Sequence, residues 1–364
     1  IPVSGLRAES GVEYFVNFEV TTNQPEPLVP AGHIIAYDQF ELPIKADRTV
    51  YKVPSAPKLD VNETGNLVTV SSSKLNFVFD KKTGLVTSYK VDGTEYFNEG
   101  FGIQPNFWRA PNDNDYGNGA PKRLQIWKES SKNFNVVDCK VQPEGNNIIL
   151  TANYLLAAGN NYIMKYNIYP TGVVKVSAQF LPIKKEEEKL TKSEAELMAT
   201  FSPQAKADLR RKSILEVPRI GVRFRVPVNM DYIQYFGRGP EENYIDRYKG
   251  TLVGLYNAKA EDLYHAYVRP QENGHHTDTR WVAALTKGGK GLLIQGEKPI
   301  GFNALRNTIE DFDGQEADVP YQWTNFSAEE IANRNEETDA KNILRKHTHI
   351  NDIKPRDFVE ICLD

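Results

Sequence analysis

Apolar and polar positions alternate with a period of two along almost the whole chain. Val12-Glu13-Tyr14-Phe15-Val16-Asn17-Phe18-Glu19-Val20, Leu75-Asn76-Phe77-Val78-Phe79 and Ile220-Gly221-Val222-Arg223-Phe224-Arg225-Val226 follow this rhythm over most of their length, as half-buried strands do. Between such runs stand Asp80-Lys81-Lys82-Thr83-Gly84, Val91-Asp92-Gly93-Thr94 and Glu144-Gly145-Asn146-Asn147, rich in residues that tolerate positive φ or bond their own backbone. The pattern predicts an all-β chain of antiparallel sheets packed as sandwiches rather than an α/β enzyme. Residues 184–212 depart from it. They are dense in Glu, Lys, Ala and Leu, lack glycine and are broken once, at Pro203, which predicts one charged helical insertion of one or two surface helices. A weaker pattern of the same kind covers 328–341.

A chain of 364 residues allows two to three domains at about 150 residues each. Pro54 and Pro57 flank a small-residue link, so the expected division is 1–55 and 58–364. The first part is short for a sandwich, whose immunoglobulin-like versions run to about 100 residues. It either leans on the second part or is the rear of a larger unit. Ile1 is not an initiator methionine, so the first residue is read as internal to a longer gene product, and the compartment stays open. Lys and Arg total 44 against 48 acids, a net charge of -4. Neither nucleic acid nor an acidic membrane is an expected partner. No apolar run approaches the roughly 18–20 residues of a membrane span. Cys139 and Cys362 have neither disulfide-framework nor zinc spacing and are read as buried thiols.

Candidate chemistry concentrates in three loops punctuated by glycine and proline: Asn106 to Gly117, Tyr235 to Arg247 and Val268 to Trp281. Each interleaves aromatics with Arg, Asn, Asp or Glu. That palette suits a sugar site, where rings stack on C–H faces and polar side chains bond hydroxyls. It equally builds rigid loops with satisfied internal networks. Asp113 and Asp115 resemble a calcium loop but lack the bidentate acid at its twelfth position. His347 and His349 without a third ligand are read as surface residues, so no metal site is expected. The glycines Gly237 and Gly239 precede proline rather than a helix, which excludes a phosphate loop.

The strings Phe107-Trp108-Arg109-Ala110-Pro111-Asn112-Asp113-Asn114-Asp115, Gly237-Arg238-Gly239-Pro240-Glu241-Glu242-Asn243-Tyr244-Ile245-Asp246-Arg247 and Tyr267-Val268-Arg269-Pro270-Gln271-Glu272-Asn273-Gly274 resemble, in order and spacing, the C-terminal small-chain domain of glycoside hydrolase family 2 β-galactosidases. The stretch Ala31 to Phe40 resembles the end of the immunoglobulin-like domain that precedes it. Arg345 to His349 and Pro355 to Asp364 extend the similarity. The resemblance implies a partial immunoglobulin-like sandwich followed by a large antiparallel supersandwich similar to the galactose mutarotase fold. It implies a parent enzyme that hydrolyses terminal β-galactosides with retention, through two glutamates about 5–5.5 Å apart. These would lie in a barrel of about 250 residues that this sequence does not contain. No catalytic residue is therefore expected here, and the chain alone is expected to be inactive. Magnesium or sodium, common in the family, would belong to the barrel, so no cofactor is expected in this chain. The expected partners are the galactoside, through the intact enzyme, and further copies in a homo-oligomer; the compartment is cytoplasmic or periplasmic. Arg109, Asp113, Asp115, Glu242, Asn243, Glu272 and Asn273 are the expected polar lining of the cleft.

In the family a glycine-rich loop with a substrate-touching tryptophan follows a strand like Phe358 to Leu363. Here the sequence ends at Asp364. The expectation is an unpaired sheet edge or an incomplete sandwich near that end. Rival readings are an autonomous carbohydrate-binding module using Trp108 or Trp281, and an aldose epimerase using His265, His275 and Glu272.

Overall fold

A computed structural model describes residues 5–46, 57–157, 159–182, 216–313, 350 and 353–364. The charged insertion at 184–212, the segment 328–341, His347, His349 and most of the link at 53–58 lie outside the described residues. In chain order the strands are β1 (Tyr14–Thr21), β2 (Ile34–Leu42), β3 (Asp60–Thr64), β4 (Leu67–Ser71), β5 (Leu75–Asp80), β6 (Leu85–Val91), β7 (Thr94–Glu95), β8 (Gln104–Asn106) and β9 (Phe134–Glu144). They continue as β10 (Asn147–Leu156), β11 (Asn161–Ile168), β12 (Val174–Leu181), β13 (Gly221–Pro227), β14 (Tyr232–Gly239), β15 (Leu252–Lys259), β16 (His276–Leu285), β17 (Gly291–Leu305) and β18 (Phe358–Leu363). Short helices are α1 (Asp113–Gly117), α2 (Ala120–Arg123), α3 (Gln125–Ser130) and α4 (Ile309–Phe312). The described fold is all-β.

β1 and β2 form a two-stranded ribbon, while β3 to β7 form a meander in sequence order. A four-stranded sheet runs β12-β11-β10-β9, and a seven-stranded one runs β15-β14-β16-β17-β18-β13-β8. Their ladders are antiparallel. Period-two patterning translates directly into burial: β5 and β11 bury every second residue. At Asp92-Gly93 both residues have positive φ, and Val91 pairs with Thr94, the geometry of a tight type I′ turn.

The inward faces of the three larger sheets contribute to one core. Phe77 and Phe79 of β5 lie 5.7 and 5.9 Å from the ring of Tyr166 on β11. Phe107, just after β8, meets Tyr162 edge-on at 4.9 Å and Trp127 of α3 at 6.1 Å. Two tyrosines bring their hydroxyls into the core by donating to a carbonyl, Tyr154 to that of Gly84 and Tyr162 to that of Gly221.

The strand Phe358–Leu363 is not an edge. β18 pairs with β13 on one side and β17 on the other, and Val359, Glu360, Ile361 and Cys362 are all buried. Sheet order differs from chain order: the 15-residue β17 extends past its partner β16, and its far end supplies β18 with a second neighbour. Gly221 is packed so closely there that a Cβ would lie 1.9 Å from the Leu363 carbonyl oxygen. Gly221→Ala is therefore expected to push β13 from β18 and cost roughly 1–3 kcal/mol, read as a lower urea midpoint at unchanged slope.

The ribbon docks on the outer strand of the large sheet. The Gln39 amide donates to the Val253 carbonyl at 2.9 Å and accepts from the Val253 N–H at 2.8 Å. Tyr37 donates its hydroxyl to the Gly250 carbonyl. Arg280 on β16 grips both oxygens of Glu13 at 2.7–3.1 Å. β15, which would otherwise expose a row of backbone groups, is thus partly covered.

Candidate functional site

The three loops noted in the sequence meet beside the C-terminal end of β14 and the start of β16, where their side chains bond one another. In the first, Asn112 caps α1: its Oδ1 accepts from the Asp115 N–H at 2.9 Å, and an Asp115 oxygen accepts from the Asn112 N–H at 2.9 Å. This reciprocal box satisfies two of the donors that a helix start leaves open. Arg109 closes on the same carboxylate with two hydrogen bonds, at 2.6 and 3.1 Å. The acidic run is thus a helix start braced by a guanidinium. Among the described residues, no group of three His, Cys, Asp or Glu side chains is placed to hold a metal ion.

Asp113 is exposed and pairs with Arg269 of the third loop at 3.0 Å. The Arg269 guanidinium also sits 3.9 Å from the Tyr116 ring centroid. The remaining four expected lining residues are internal. Glu242, with 7% of its side chain exposed, takes hydrogen bonds from the Gly274 N–H at 2.6 Å, from Arg247 at 2.6 Å and from the Tyr267 hydroxyl. Asn243 is fully buried: its Oδ1 accepts from the Thr277 N–H and hydroxyl, and its Nδ2 donates to the carbonyls of Arg238 and Glu241. The buried Asn273 donates to the His265 carbonyl at 3.0 Å.

Glu272 belongs to an ionic cluster that no local sequence pattern announces. Its Oε1 accepts from Arg219 at 2.8 Å and from Asn303 at 3.2 Å, and its Oε2 accepts from the Ala110 N–H at 3.3 Å. Arg219 and Glu272 expose 3% and 5% of their side chains. Asp364 lies 3.4 Å from Arg219 and 3.1 Å from the His275 ring, whose other nitrogen contacts the Asn243 carbonyl at 3.0 Å. Burial alone would raise the Asp364 carboxyl, but Arg219 and His275 hold it well below the usual carboxylate range. Next door, His276 is stacked against Phe302 and tilted on Tyr235, with Nδ1 at 3.1 Å from the Arg238 carbonyl. Burial lowers its imidazole from 6.5 to about 4.

A cavity of about 250 Å³ opens beside α1 and α2. Trp108, Arg109, Pro111 and Asp115 line it from the first loop, Asn118, Ala120, Pro121, Arg123 and Leu124 contribute from the helices and their ends, and Glu216, Val217 and Pro218 close it. Two of the seven expected residues, Arg109 and Asp115, thus face open space. Asn118, Arg123 and Glu216 join them without having been anticipated. Arg123 and Glu216 form an ion pair, and their charge-rich surroundings gave no reason to single them out. A smaller space of about 20 Å³, bordered by Arg219, Glu272 and Asn273, has room for about one water molecule. The trio considered for an epimerase does not form an acid–base pair across a cavity: Glu272 and His275 are engaged within the ionic cluster, and His265 is exposed beside Tyr267. What the arrangement does chemically is brace loops and frame an open, polar cavity.

Comparison with known proteins adds the following. Residues 71–364 match the family model described as β-galactosidase small chain, and residues 1–43 match the one described as β-galactosidase domain 4. A β-galactosidase of Priestia megaterium is 31% identical over 295 residues, 80% of this chain and 25% of that protein. One from Kluyveromyces lactis is 29% identical over 287 residues, covering 76% and 25%. Another, from Halalkalibacterium halodurans, is 25% identical over 323 residues, covering 87% and 28%. The chain spans about a quarter of the length of these curated relatives.

Proposed function

Because this chain belongs to the β-galactosidase small-chain family, we propose that it forms a non-catalytic part of a glycosidase that hydrolyses terminal β-D-galactosides with retention, in the manner of family 2 enzymes. In this reading it walls the substrate cleft and supports assembly of a homo-oligomer, while a barrel carries the acid/base and nucleophilic glutamates. The observation that carries the reading is the state of Glu242 and Glu272. Each accepts three hydrogen bonds, at least one from an arginine, so each is committed as a buried brace. A retaining mechanism instead needs one carboxylic acid able to give up a proton and one carboxylate free to attack. The magnesium or sodium associated with the family is assigned to the barrel as well, because Asp115, Glu242 and Glu272 of the three loops are already bonded to arginines and backbone amides, a donor set that does not fit a cation.

The purified chain is expected to release no nitrophenol from a nitrophenyl β-galactoside, and activity is expected to appear when a polypeptide carrying the barrel is supplied. Turnover by the chain alone that disappears in Glu242→Gln or Glu272→Gln would overturn the proposal.

A further inference from the structure

The space of about 20 Å³ is bordered by members of two ionic clusters. Arg219 and Glu272 belong to the cluster that includes Asp364. Glu360 of β18 is the centre of the other: it accepts from Arg225 at 2.9 Å and lies 3.6 Å from Arg223, which pairs with Glu310 at 3.0 Å. Leu305, Ile309, Phe312 and Cys362 supply apolar wall.

Two side chains at this space each carry an atom without a partner. Arg219 Nη1 meets no acceptor and Asn273 Oδ1 meets no donor among the described residues, although both atoms are buried. Leaving such groups unbonded costs their full desolvation, most of all for a charged group. Glu360 has a related need. Burial pushes its carboxyl up against the pull of Arg223 and Arg225, so a further donor favours its charged form. One ligand that meets all three needs must accept from the guanidinium and donate to both oxygens. A metal cation has no hydrogen to donate, and a halide has none either and would face two carboxylates. Water does both, and needs only about 10–15 Å³ and two to four polar partners.

We infer that a single ordered water occupies this space, accepting from Arg219 Nη1 and donating one hydrogen to Asn273 Oδ1 and the other to the Glu360 carboxylate. It joins the two clusters and, through Asn273, fixes the third loop to β18. This role is independent of any part the chain plays in a glycosidase.

A high-resolution crystal structure of the full chain is the first test. A density peak within about 3.2 Å of Arg219 Nη1, Asn273 Oδ1 and a Glu360 oxygen is expected, with a B-factor like those of the atoms around it. No peak, a peak bonded to one cluster alone, or side chains turned to bond each other directly would overturn the inference. The second test uses Cys362→Val, whose extra methyl fills the space. Relaxation dispersion of the water oxygen is expected to count about one long-lived water fewer per chain in this variant; an equal count in a folded variant would contradict the bridge. Filling a dry void stabilises a protein, whereas displacing this water strands Arg219 Nη1 and Asn273 Oδ1. The urea midpoint of Cys362→Val is therefore expected to fall, and a rise would also overturn the inference. Should the variant not fold, the density in the parent chain decides.

Discussion

Arg219→Met is expected to destabilise the chain by about 3–5 kcal/mol, the cost of leaving buried charge without its counter-ion. Arg219 is the cation between Glu272 and Asp364, and it also bonds Asn303. Met fills similar volume, so the loss would be electrostatic rather than a cavity effect. Without the guanidinium, Glu272 retains only Asn303 and a backbone amide as donors. The Arg219→Met, Glu272→Met double variant removes the stranded carboxylate along with its partner and is expected to recover part of the loss, because an apolar pair of similar volume can replace a buried ion pair at little cost. Urea denaturation of both variants measures this. A single-variant loss below about 1 kcal/mol, the size found at exposed pairs, would mean that the cluster is hydrated and braces nothing.

Acidification is expected to remove about 3 kcal/mol of stability between pH 6.5 and pH 4 through His276 alone. Burial lowers this imidazole from 6.5 to about 4 in the fold. Over that interval the unfolded chain takes up a proton that the folded chain refuses, so unfolding is favoured progressively as pH falls and the effect levels off below about 4. Asp364 acts in a different window. Its carboxyl is held below its ordinary 3.8, so the stability it contributes is present above that value and is lost as pH drops further. Unfolding free energies of the parent chain and of His276→Gln, measured from pH 7 to pH 4, separate the two. The difference between the proteins should change by the His276 amount over this range, whereas a pH-independent difference would show that the ring is protonated in place.

The strands were legible because a half-buried sheet imposes its period on the sequence directly, and the Asp92-Gly93 turn was legible because few residues accept positive φ. Sheet order was not. Nothing in the pattern of Phe358 to Leu363 distinguishes an interior strand from an edge except that Val359, Glu360, Ile361 and Cys362 run without alternation; here that signals burial on both faces, with Glu360 neutralised by Arg225 at 2.9 Å. The loops show a comparable limit. Composition places Arg, Asp, Glu and Asn together but says nothing of which side chains turn inward. Arg109 and Asp115 border open space, while Glu242, Asn243 and Glu272 in the same kind of sequence are consumed by their own backbone and by neighbours. One signal was available: Asn112 and Asp115 stand three apart, the spacing of a capping box, which marks a helix start where a cation loop might be read. Arg219 had none, because its partners come from positions 53 and 145 residues away.

The attachment of the ribbon to β15 separates two kinds of continuity. Gln39 and Tyr37 on β2, and Glu13 ahead of β1, hold the ribbon to the large sheet from its own side of the residues that join them. An intact peptide bond between positions 46 and 57 is therefore not what keeps these pieces in register. A gene that split here, or a protease that nicked here, would separate the chain while leaving the bonds of Gln39, Tyr37 and Glu13 to the large sheet in place.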